Sequence, residues 1–289
     1  METNEFPDWL KSKLTRKKQA ESLKNILKSK NLHTVCEEAK CPNIGECFSK
    51  RTATFLILGN ICTRNCTFCS IKKGVPDELD KSEPVRVARQ IKQMKLKYVV
   101  LTSPSRDDLD DGGATFFAST VKKIKEIIFS AGVEVLIPDF KGDMSALKAV
   151  LSSGIDVLNH NIETVKRLYP QVRPQADYDR TLRILKESSS SSTGFPVKSG
   201  FMVGLGEKKE EIKELLEDLR SAGCNIITVG QYLRPTLRQL PVVRYLHPEE
   251  FKEIENLAYG IGFDCVVSGP LVRSSYKAEE VLLSFKKNI

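Results

Sequence analysis

Short strand-like runs that alternate with helical stretches limit the possible folds of this chain more than any other feature. Seven apolar runs have the length of a β-strand: Ala53–Gly59, Tyr98–Ser103, Val133–Phe140, Ile155–Asn161, Val197–Gly204, Asn225–Leu233 and Asp264–Ser268. Helical patterns separate them at 84–96, 113–130, 143–152, 177–187, 208–222 and 248–260. Neighbouring parallel strands need such crossover helices, whereas an antiparallel sandwich does not. We therefore predict an α/β fold, a partial parallel (β/α)6 barrel with extensions at both ends.

The same pattern divides the chain into three predicted segments. Residues 1–50 precede the first strand and form an N-terminal extension, residues 51–263 form the barrel, and residues 264–289 form a C-terminal extension. A serine run at 188–192 predicts a flexible loop between the fourth helix and the fifth strand.

Composition excludes several classes of protein. With 40% hydrophobic and 28% charged residues, this chain of 289 residues is near the globular average and unlike disordered or collagen-like sequences. No apolar run approaches the roughly 18 residues that span a bilayer. The first residues, METNEFPDWL, lack the apolar core of a signal peptide. We expect a soluble, cytoplasmic protein with no membrane partner.

Six of the eight cysteines lie in two groups of three near the start of the chain. The first group has the spacing C-x4-C-x5-C and the second C-x3-C-x2-C: Cys36, Cys41 and Cys47, then Cys62, Cys66 and Cys69. Zinc sites usually take four ligands from paired C-x2-C units or add histidines at set intervals, and the three histidines here are scattered. Groups of three thiolates suit a cubane iron–sulfur cluster that keeps one iron position open. Spacing alone leaves structural zinc as an alternative. The other two, Cys224 and Cys265, are predicted to be buried core residues.

The second cysteine group follows directly after the first predicted strand, where parallel barrels build their active sites. In this context C-x3-C-x2-C resembles the motif of the radical S-adenosylmethionine (SAM) family. The resemblance implies that Cys62, Cys66 and Cys69 hold a [4Fe–4S] cluster whose fourth iron binds the amino and carboxylate groups of SAM. It also implies reductive cleavage of SAM to a 5′-deoxyadenosyl radical, which abstracts hydrogen from unactivated carbon.

Further blocks in the same order resemble the lipoyl synthase family. They cover nearly the whole chain and comprise LHTVCEEAKCPNIGEC at 32–47, RDDLDDGG at 106–113, HNIET at 160–164, VGLGE at 203–207, QYLRP at 231–235 and GPLVRSSY at 269–276. Members of this family are sulfurtransferases. They insert sulfur at C6 and C8 of an octanoyl chain that is amide-linked to a lysine of a carrier domain, and each insertion consumes one SAM.

The lipoyl synthase resemblance implies a second, auxiliary [4Fe–4S] cluster as the sulfur donor. Its cysteine ligands would be Cys36, Cys41 and Cys47, and its fourth ligand would be Ser275, the second serine of the Arg-Ser-Ser-Tyr motif. Sequence chemistry alone would not nominate Ser275, because serine is a rare ligand of iron. The implied cofactors are thus two [4Fe–4S] clusters and SAM.

The stretch GFMVGLGE at 200–207 resembles a family motif, G-x-I-x-G-x-x-E, that lies along the adenosine of SAM, with Met202 in place of isoleucine. Glycine lets a backbone approach a ligand closely. The candidate SAM contacts are Asn161, Glu163, Gly204, Gly206, Glu207 and Gln231. For the polar residues at strand ends, capping of the strand is an equal alternative. Gly112-Gly113-Ala114 departs from the G-G-E of many radical SAM enzymes, a departure that lipoyl synthases share.

Positive charge is concentrated near the N-terminus. Residues 11–30 hold eight Lys or Arg and one acidic residue, Glu21, with apolar residues at roughly helical intervals. A solvated helix face is one interpretation, and docking of an acidic protein surface is the other. Nucleic acid is not expected, because the tract has no interleaved aromatic residues and no known binding motif.

The family resemblance supplies the expected partners. These are octanoylated lipoyl carrier domains of 2-oxoacid dehydrogenases and of the glycine cleavage system, together with ferredoxin or flavodoxin as electron donor. Two alternatives remain at this stage. One is a radical SAM enzyme whose second cluster only transfers electrons or anchors substrate, and the other is a non-catalytic protein with structural metal.

Overall fold

The computed structural model describes residues 7–11, 33–38, 41, 43, 47, 53–191 and 194–287, with only the backbone of Lys11, Cys36 and Glu37. The predicted basic segment therefore lies outside the described residues, apart from the backbone of Lys11. The strands are β1 His33–Thr34, β2 Thr54–Leu56, β3 Ile61–Cys62, β4 Lys72–Lys73, β5 Tyr98–Thr102, β6 Gly132–Leu136, β7 Val157–Asn159, β8 Val197–Val203, β9 Ile226–Gln231 and β10 Cys265–Gly269.

Helices separate the long strands, as the sequence predicts. They are α1 Asp8–Lys11, α2 Val35–Glu38, α3 Glu83–Gln93, α4 Ala114–Ile127, α5 Met144–Leu151, α6 Tyr169–Val172, α7 Tyr178–Ser189, α8 Lys209–Ser221, α9 Pro248–Ile261 and α10 Ala278–Lys287. Short 3-10 turns occur at Phe140–Gly142 and Lys166–Leu168. All seven predicted strands and all six predicted helices are present. Helix α7 extends to Ser189, so the serine run begins inside a helix and not in a loop.

Local sequence signals explain where these helices start and stop. The Asp143 carboxylate accepts hydrogen bonds from the backbone N–H groups of Ser145 (2.7 Å) and Ala146 (3.2 Å), which caps α5. Pro248 occupies the first turn of α9, where its missing N–H costs nothing. Gly262 ends α9 at φ +104°, a conformation that favours glycine.

The strands form an open parallel barrel. The eight-stranded sheet has the order β1-β2-β5-β6-β7-β8-β9-β10, and every pair is parallel except β1 with β2. The short β3–β4 pair stands apart from it. The predicted partial barrel is confirmed. Strand β10 pairs with β9 over its full length, so the predicted boundary at residue 264 falls just before the last strand of the sheet.

Two faces of the sheet bury different sets of residues. The outer face packs against the surrounding helices, with Val99, Val133 and Val135 among its fully buried side chains. The inner face packs against the C-terminal helix α10, whose Ala278 and Leu282 join Tyr98, Val100 and Val157. Val281 and Phe285 of α10 join Ile226 and Cys265. Helix α10 therefore packs against the inner face of the sheet near the N-terminal ends of its strands, which the sequence analysis did not predict.

Charged residues also lie on the inner face of the sheet. The Lys198 ammonium donates to both carboxylate oxygens of Glu134, at 3.0 and 3.3 Å, and these side chains are 0% and 1% exposed. The same carboxylate accepts hydrogen bonds from the Tyr98 hydroxyl at 3.0 Å and from Asn159 Nδ2 at 2.8 Å. Because every charge is paired, this buried network is tolerated inside the barrel.

Candidate active site at the cysteine loop

Because its long strands are parallel, the barrel gathers the loops that follow them at one rim. The loop after β2 carries Cys62, Cys66 and Cys69, and we call residues 62–69 the cysteine loop. The rim also receives the RDDLDDGG block after β5, the HNIET block after β7, the GLGE turn after β8 and the Arg-Ser-Ser-Tyr loop after β10. Most of the sequence blocks singled out above therefore meet in one place.

Backbone and side-chain hydrogen bonds fasten the cysteine loop to neighbouring loops of the rim. Thr63 bonds to the backbone of Ser105 and Asp107. Thr67 N–H donates to the Val172 carbonyl at 3.0 Å. On the other side, the Cys69 carbonyl accepts from Gln239 Nε2 at 3.2 Å. The loop is therefore held from several directions.

The three cysteines of the loop are half-buried, and their thiols interact electrostatically with one another. None of these thiols is in a disulfide. Burial raises the pKa of the Cys66 thiol and raises that of Cys69 to about 12, and each thiolate is also destabilised by its neighbours in the group. A metal centre would stabilise neighbouring thiols as thiolates, so Cys62, Cys66 and Cys69 fit an iron–sulfur cluster. Among the residues with described side chains, no three His, Cys, Asp or Glu converge closely enough for a single metal ion.

Segments of the first cysteine group lie next to the cysteine loop and the Arg-Ser-Ser-Tyr loop. The Ser70 hydroxyl donates to the Glu38 carbonyl at 2.9 Å, which joins the two cysteine groups. Asn43 Nδ2 donates to the Leu271 carbonyl at 2.6 Å. Burial raises the pKa of Cys41, and the nearby Arg273 guanidinium opposes that rise. Ser275 lies in the turn two residues after Arg273.

Asn161 and Glu163 form a polar cluster at the end of β7. Asn161 Nδ2 donates to Glu163 Oε1 at 3.0 Å, while the buried Asn161 Oδ1 has no hydrogen-bond partner among the described residues. Burial raises the pKa of Glu163, although Arg173 and Arg273 favour its carboxylate form. Glu163 has φ +67°, a strained backbone conformation for a residue with a side chain. Such strain and unpaired buried atoms are typical of a ligand site.

Arg173 belongs to the same cluster and was not singled out in the sequence analysis. Its guanidinium stabilises the Cys66 thiolate electrostatically and is also close to Glu163. One of its terminal nitrogens donates to the Asn161 carbonyl at 3.0 Å, and its buried Nε has no partner among the described residues. Amino and carboxylate groups of a bound amino acid would satisfy a carboxylate, an amide oxygen and a guanidinium placed together in this way.

The remaining candidate SAM contacts hold the rim together. Glu207 accepts from the backbone N–H groups of Gly204 and Leu205. The Gln231 amide donates to the Arg244 carbonyl at 3.0 Å and accepts from Leu246 N–H at 2.9 Å. A Cβ on Gly204 would lie 2.1 Å from Gln231 Nε2. Gly204 therefore has to lack a side chain to accommodate Gln231, and its contact with SAM stays a prediction.

Gly206 completes the same turn at φ +101°, and a Cβ there would lie 3.7 Å from the Val243 side chain. The loop at 240–246 then reaches the cysteine loop, where Leu240 N–H donates to the Thr67 carbonyl at 3.1 Å. The GLGE turn therefore supports the cysteine loop indirectly.

Comparison with family models and known sequences gives a consistent result. Residues 56–219 match the model of the radical SAM superfamily, and residues 1–41 match that of the N-terminal domain of lipoyl synthase. A lipoyl synthase from Caldicellulosiruptor saccharolyticus is 56% identical over 95% of this chain and 96% of its own length. A lipoyl synthase from a Geobacillus strain is 51% identical over 97% of this chain and 96% of its own length.

Solved structures share the fold at low sequence identity. Methylornithine synthase has a TM-score of 0.55 at 15% identity over 89% of this chain and 80% of its own. HydG, a maturase of the [FeFe]-hydrogenase, has a TM-score of 0.56 at 17% identity over 82% of this chain and 62% of its own. None of the helices described here has the length and apolar character needed to cross a membrane.

The family models and the two lipoyl synthase sequences agree over almost the whole chain. The chain therefore belongs to the lipoyl synthase family of the radical SAM superfamily.

Proposed function

We propose that this chain converts protein-bound octanoyl-lysine into lipoyl by inserting sulfur at C6 and C8, with one [4Fe–4S] cluster at Cys62, Cys66 and Cys69 and a second at Cys36, Cys41 and Cys47. The observation that carries the proposal is the meeting of both cysteine groups and the Arg-Ser-Ser-Tyr loop at one rim, through the Ser70–Glu38 and Asn43–Leu271 hydrogen bonds. A sulfur donor beside the site of hydrogen abstraction needs this proximity.

The residues of the rim have separate proposed roles. When bound, the cluster at the cysteine loop supplies an electron that cleaves SAM. Asn161, Glu163 and Arg173 bind the amino and carboxylate groups of SAM beside Cys66, because their unpaired atoms are buried there. Arg273 lies between Cys41 and Glu163 and balances the negative charge of thiolates and carboxylate. Cys36 and Cys47 are assigned to the second cluster by family resemblance.

Reconstitution tests this function directly. The protein is loaded anaerobically with iron and sulfide, then given SAM, dithionite and an octanoyl-lysine peptide, and the mass of the peptide is measured. Two added sulfurs, limited to about one product per chain, support a sacrificial second cluster. Deoxyadenosine without sulfur in the peptide would favour the alternative in which the second cluster only transfers electrons. Absence of SAM cleavage by protein with reduced clusters would overturn the interpretation of the cysteines.

Replacing Ser275 with cysteine is expected to lower sulfur insertion while SAM cleavage continues. A cluster that gives up sulfide benefits from one iron held by an oxygen that can be protonated and released, whereas a fourth thiolate favours retention. Product with two sulfurs should fall by about tenfold or more, a barrier increase of about 1.4 kcal/mol. The measurement is peptide mass against deoxyadenosine formed. Ser274→Cys is the matched control, and full double insertion by Ser275→Cys would contradict the proposed role.

We propose that the basic segment 11–30 docks the acidic carrier domain. Replacing Lys17, Lys18 and Lys24 with glutamate is expected to raise KM about tenfold for a whole octanoylated carrier domain, because clustered charge steers association. KM for a short octanoyl-lysine peptide should stay within about twofold, since the peptide lacks that surface. Steady-state kinetics with both substrates measures the difference, and equal effects on the two substrates would contradict docking.

An external one-electron donor is also part of the proposal, because the cluster must be reduced before SAM is cleaved. We propose ferredoxin or flavodoxin in this role. Iron binding needs reduced thiols at the cysteine loop, which the cytoplasm maintains, so we propose a cytoplasmic location.

A further inference from the structure

Arg64 lies inside the C-x3-C-x2-C motif, between Cys62 and Cys66, and its guanidinium faces away from solvent. The Arg64 side chain is only 3% exposed. Its Nε and one terminal nitrogen donate to the two carboxylate oxygens of Asp107, at 2.7 and 2.9 Å. The same terminal nitrogen donates to Asp139 Oδ1 at 2.5 Å. A buried arginine shared by two carboxylates is a strong, directional contact.

Asp139 is the buried centre of this arrangement. It follows β6 and its side chain is 0% exposed. Its second carboxylate oxygen accepts from an Arg180 terminal nitrogen at 3.0 Å, and its first oxygen also accepts from Lys141 N–H at 3.1 Å. Burial would favour the protonated form, but the Arg64 hydrogen bond outweighs it and holds the pKa of Asp139 well below the usual range.

The backbone beside Asp139 is strained in a way that serves these contacts. Phe140 and Lys141 both have positive φ, at +43° and +53°. Two consecutive residues with side chains rarely adopt this conformation, and it persists only where surrounding contacts enforce it. The tight turn directs the Lys141 N–H to the Asp139 carboxylate, and Lys141 Nζ donates to the Asp107 carbonyl at 2.6 Å. The turn therefore links the Asp139 carboxylate to the backbone of Asp107, the two residues that hold Arg64.

We propose that Asp139 is a positioning residue that acts through Arg64 to fix the cysteine loop next to Asn161, Glu163 and Arg173, where its three thiols would hold the cluster. The inference rests on the proposed cluster at the cysteine loop. Arg64 and Arg180 offset the charges of Asp107 and Asp139. Replacing Asp139 with asparagine changes this charge as well as the hold on Arg64, whereas Arg64→Lys keeps the charge and changes only the geometry of the contact.

The test uses Asp139→Asn and Arg64→Lys in the full, reconstituted protein. Asparagine keeps the shape of Asp139 but loses the charge that holds Arg64, and lysine keeps the charge of Arg64 but loses its planar fork. Asp156→Asn is the matched control. Asp156 also accepts from a lysine, Lys125 Nζ at 2.6 Å, and from a backbone N–H, Val133 at 2.7 Å, but lies at the opposite end of the strands.

Both variants are expected to bind iron and sulfide as the unchanged protein does, because all three thiols remain. The Kd for SAM, measured by equilibrium binding, should rise about tenfold, which corresponds to about 1.4 kcal/mol. The change that SAM causes in the electron paramagnetic resonance spectrum of the reduced cluster should become smaller. The control should lose thermal stability and keep both SAM readouts.

Three results would overturn the inference. Unchanged SAM affinity and spectrum in both variants would reduce Asp139 and Arg64 to structural residues. Loss of iron from the cysteine loop in Asp139→Asn and in Arg64→Lys would make them assembly residues. If Asp139→Asn does not fold, an unchanged SAM affinity and spectrum in folded Arg64→Lys would overturn the inference by itself. Failure of the unmodified protein to show any SAM-dependent change would instead overturn the proposed function.

Discussion

Cys66→Ala is expected to remove the cluster proposed at the cysteine loop and to abolish SAM cleavage. Cys66 is the middle cysteine of the loop, and its thiol interacts electrostatically with both Arg173 and Glu163. Without it the proposed cubane lacks a ligand, so iron should fall from about eight atoms per chain, the content of the two proposed clusters, to about four. Deoxyadenosine formation should fall by more than about a thousandfold, because SAM cleavage is proposed to depend on the cluster at the cysteine loop.

Cys224→Ala provides the matched control for this prediction. Cys224 is a fully buried thiol in the outer core, surrounded by apolar side chains. Its removal should cost about 1 kcal/mol of stability through a small cavity and leave iron content and SAM cleavage unchanged. Iron and sulfide assays with chromatography of deoxyadenosine measure both variants. Normal cleavage by Cys66→Ala would refute the assignment of the cysteine loop.

Lys198→Met is expected to lower the free energy of unfolding by about 3 to 5 kcal/mol, the largest stability effect that the structure indicates. The substitution leaves the Glu134 carboxylate buried inside the barrel with only the Tyr98 hydroxyl and the Asn159 amide as partners. An unpaired buried charge is far more costly than a missing ion pair. Anaerobic urea unfolding of the cluster-loaded protein gives the measurement.

Two further variants separate this effect from general loss of packing. The double variant Glu134→Gln with Lys198→Met removes both charges and should recover part of the loss. Lys209→Met breaks an ion pair with Glu253 whose side chains are 74% and 64% exposed, so it should change stability by less than about 0.5 kcal/mol. Equal losses from Lys198→Met and Lys209→Met would contradict the proposed energetic role of the buried pair.

Strand and helix positions could be predicted because their residues repeat with the periods that burial imposes. The strand at Val197–Val203 and the helix at Lys209–Ser221 both match the pattern within one or two residues. The position of the cysteine loop at the rim could be predicted, because the C-x3-C-x2-C spacing is visible in the sequence and directly follows a predicted strand. Helix α10 was missed, because its apolar face packs against the inner face of the sheet and a short amphipathic stretch does not reveal its partner.

Other parts of the site depend on contacts between distant segments, which no local pattern encodes. Arg64 binds Asp139, which is 75 positions later in the sequence. Arg173 and Arg273 come close to Glu163 only because the loops that carry these three residues meet at the rim. Gly204 gives a second example. The sequence alone could not show that the Gln231 side chain lies where a Cβ of residue 204 would be.

The placement of α10 has a consequence for the order of events during biosynthesis. Residues Ala278–Lys287 are the last described helix and line the inner face of strands that begin at Tyr98. Until α10 has been synthesised, those strands lack its inner packing, since chains emerge N-terminal end first. The Arg-Ser-Ser-Tyr loop directly precedes α10, so it takes its place at the rim in the same late step. The rim is therefore completed only after the strands that carry its other loops have been synthesised.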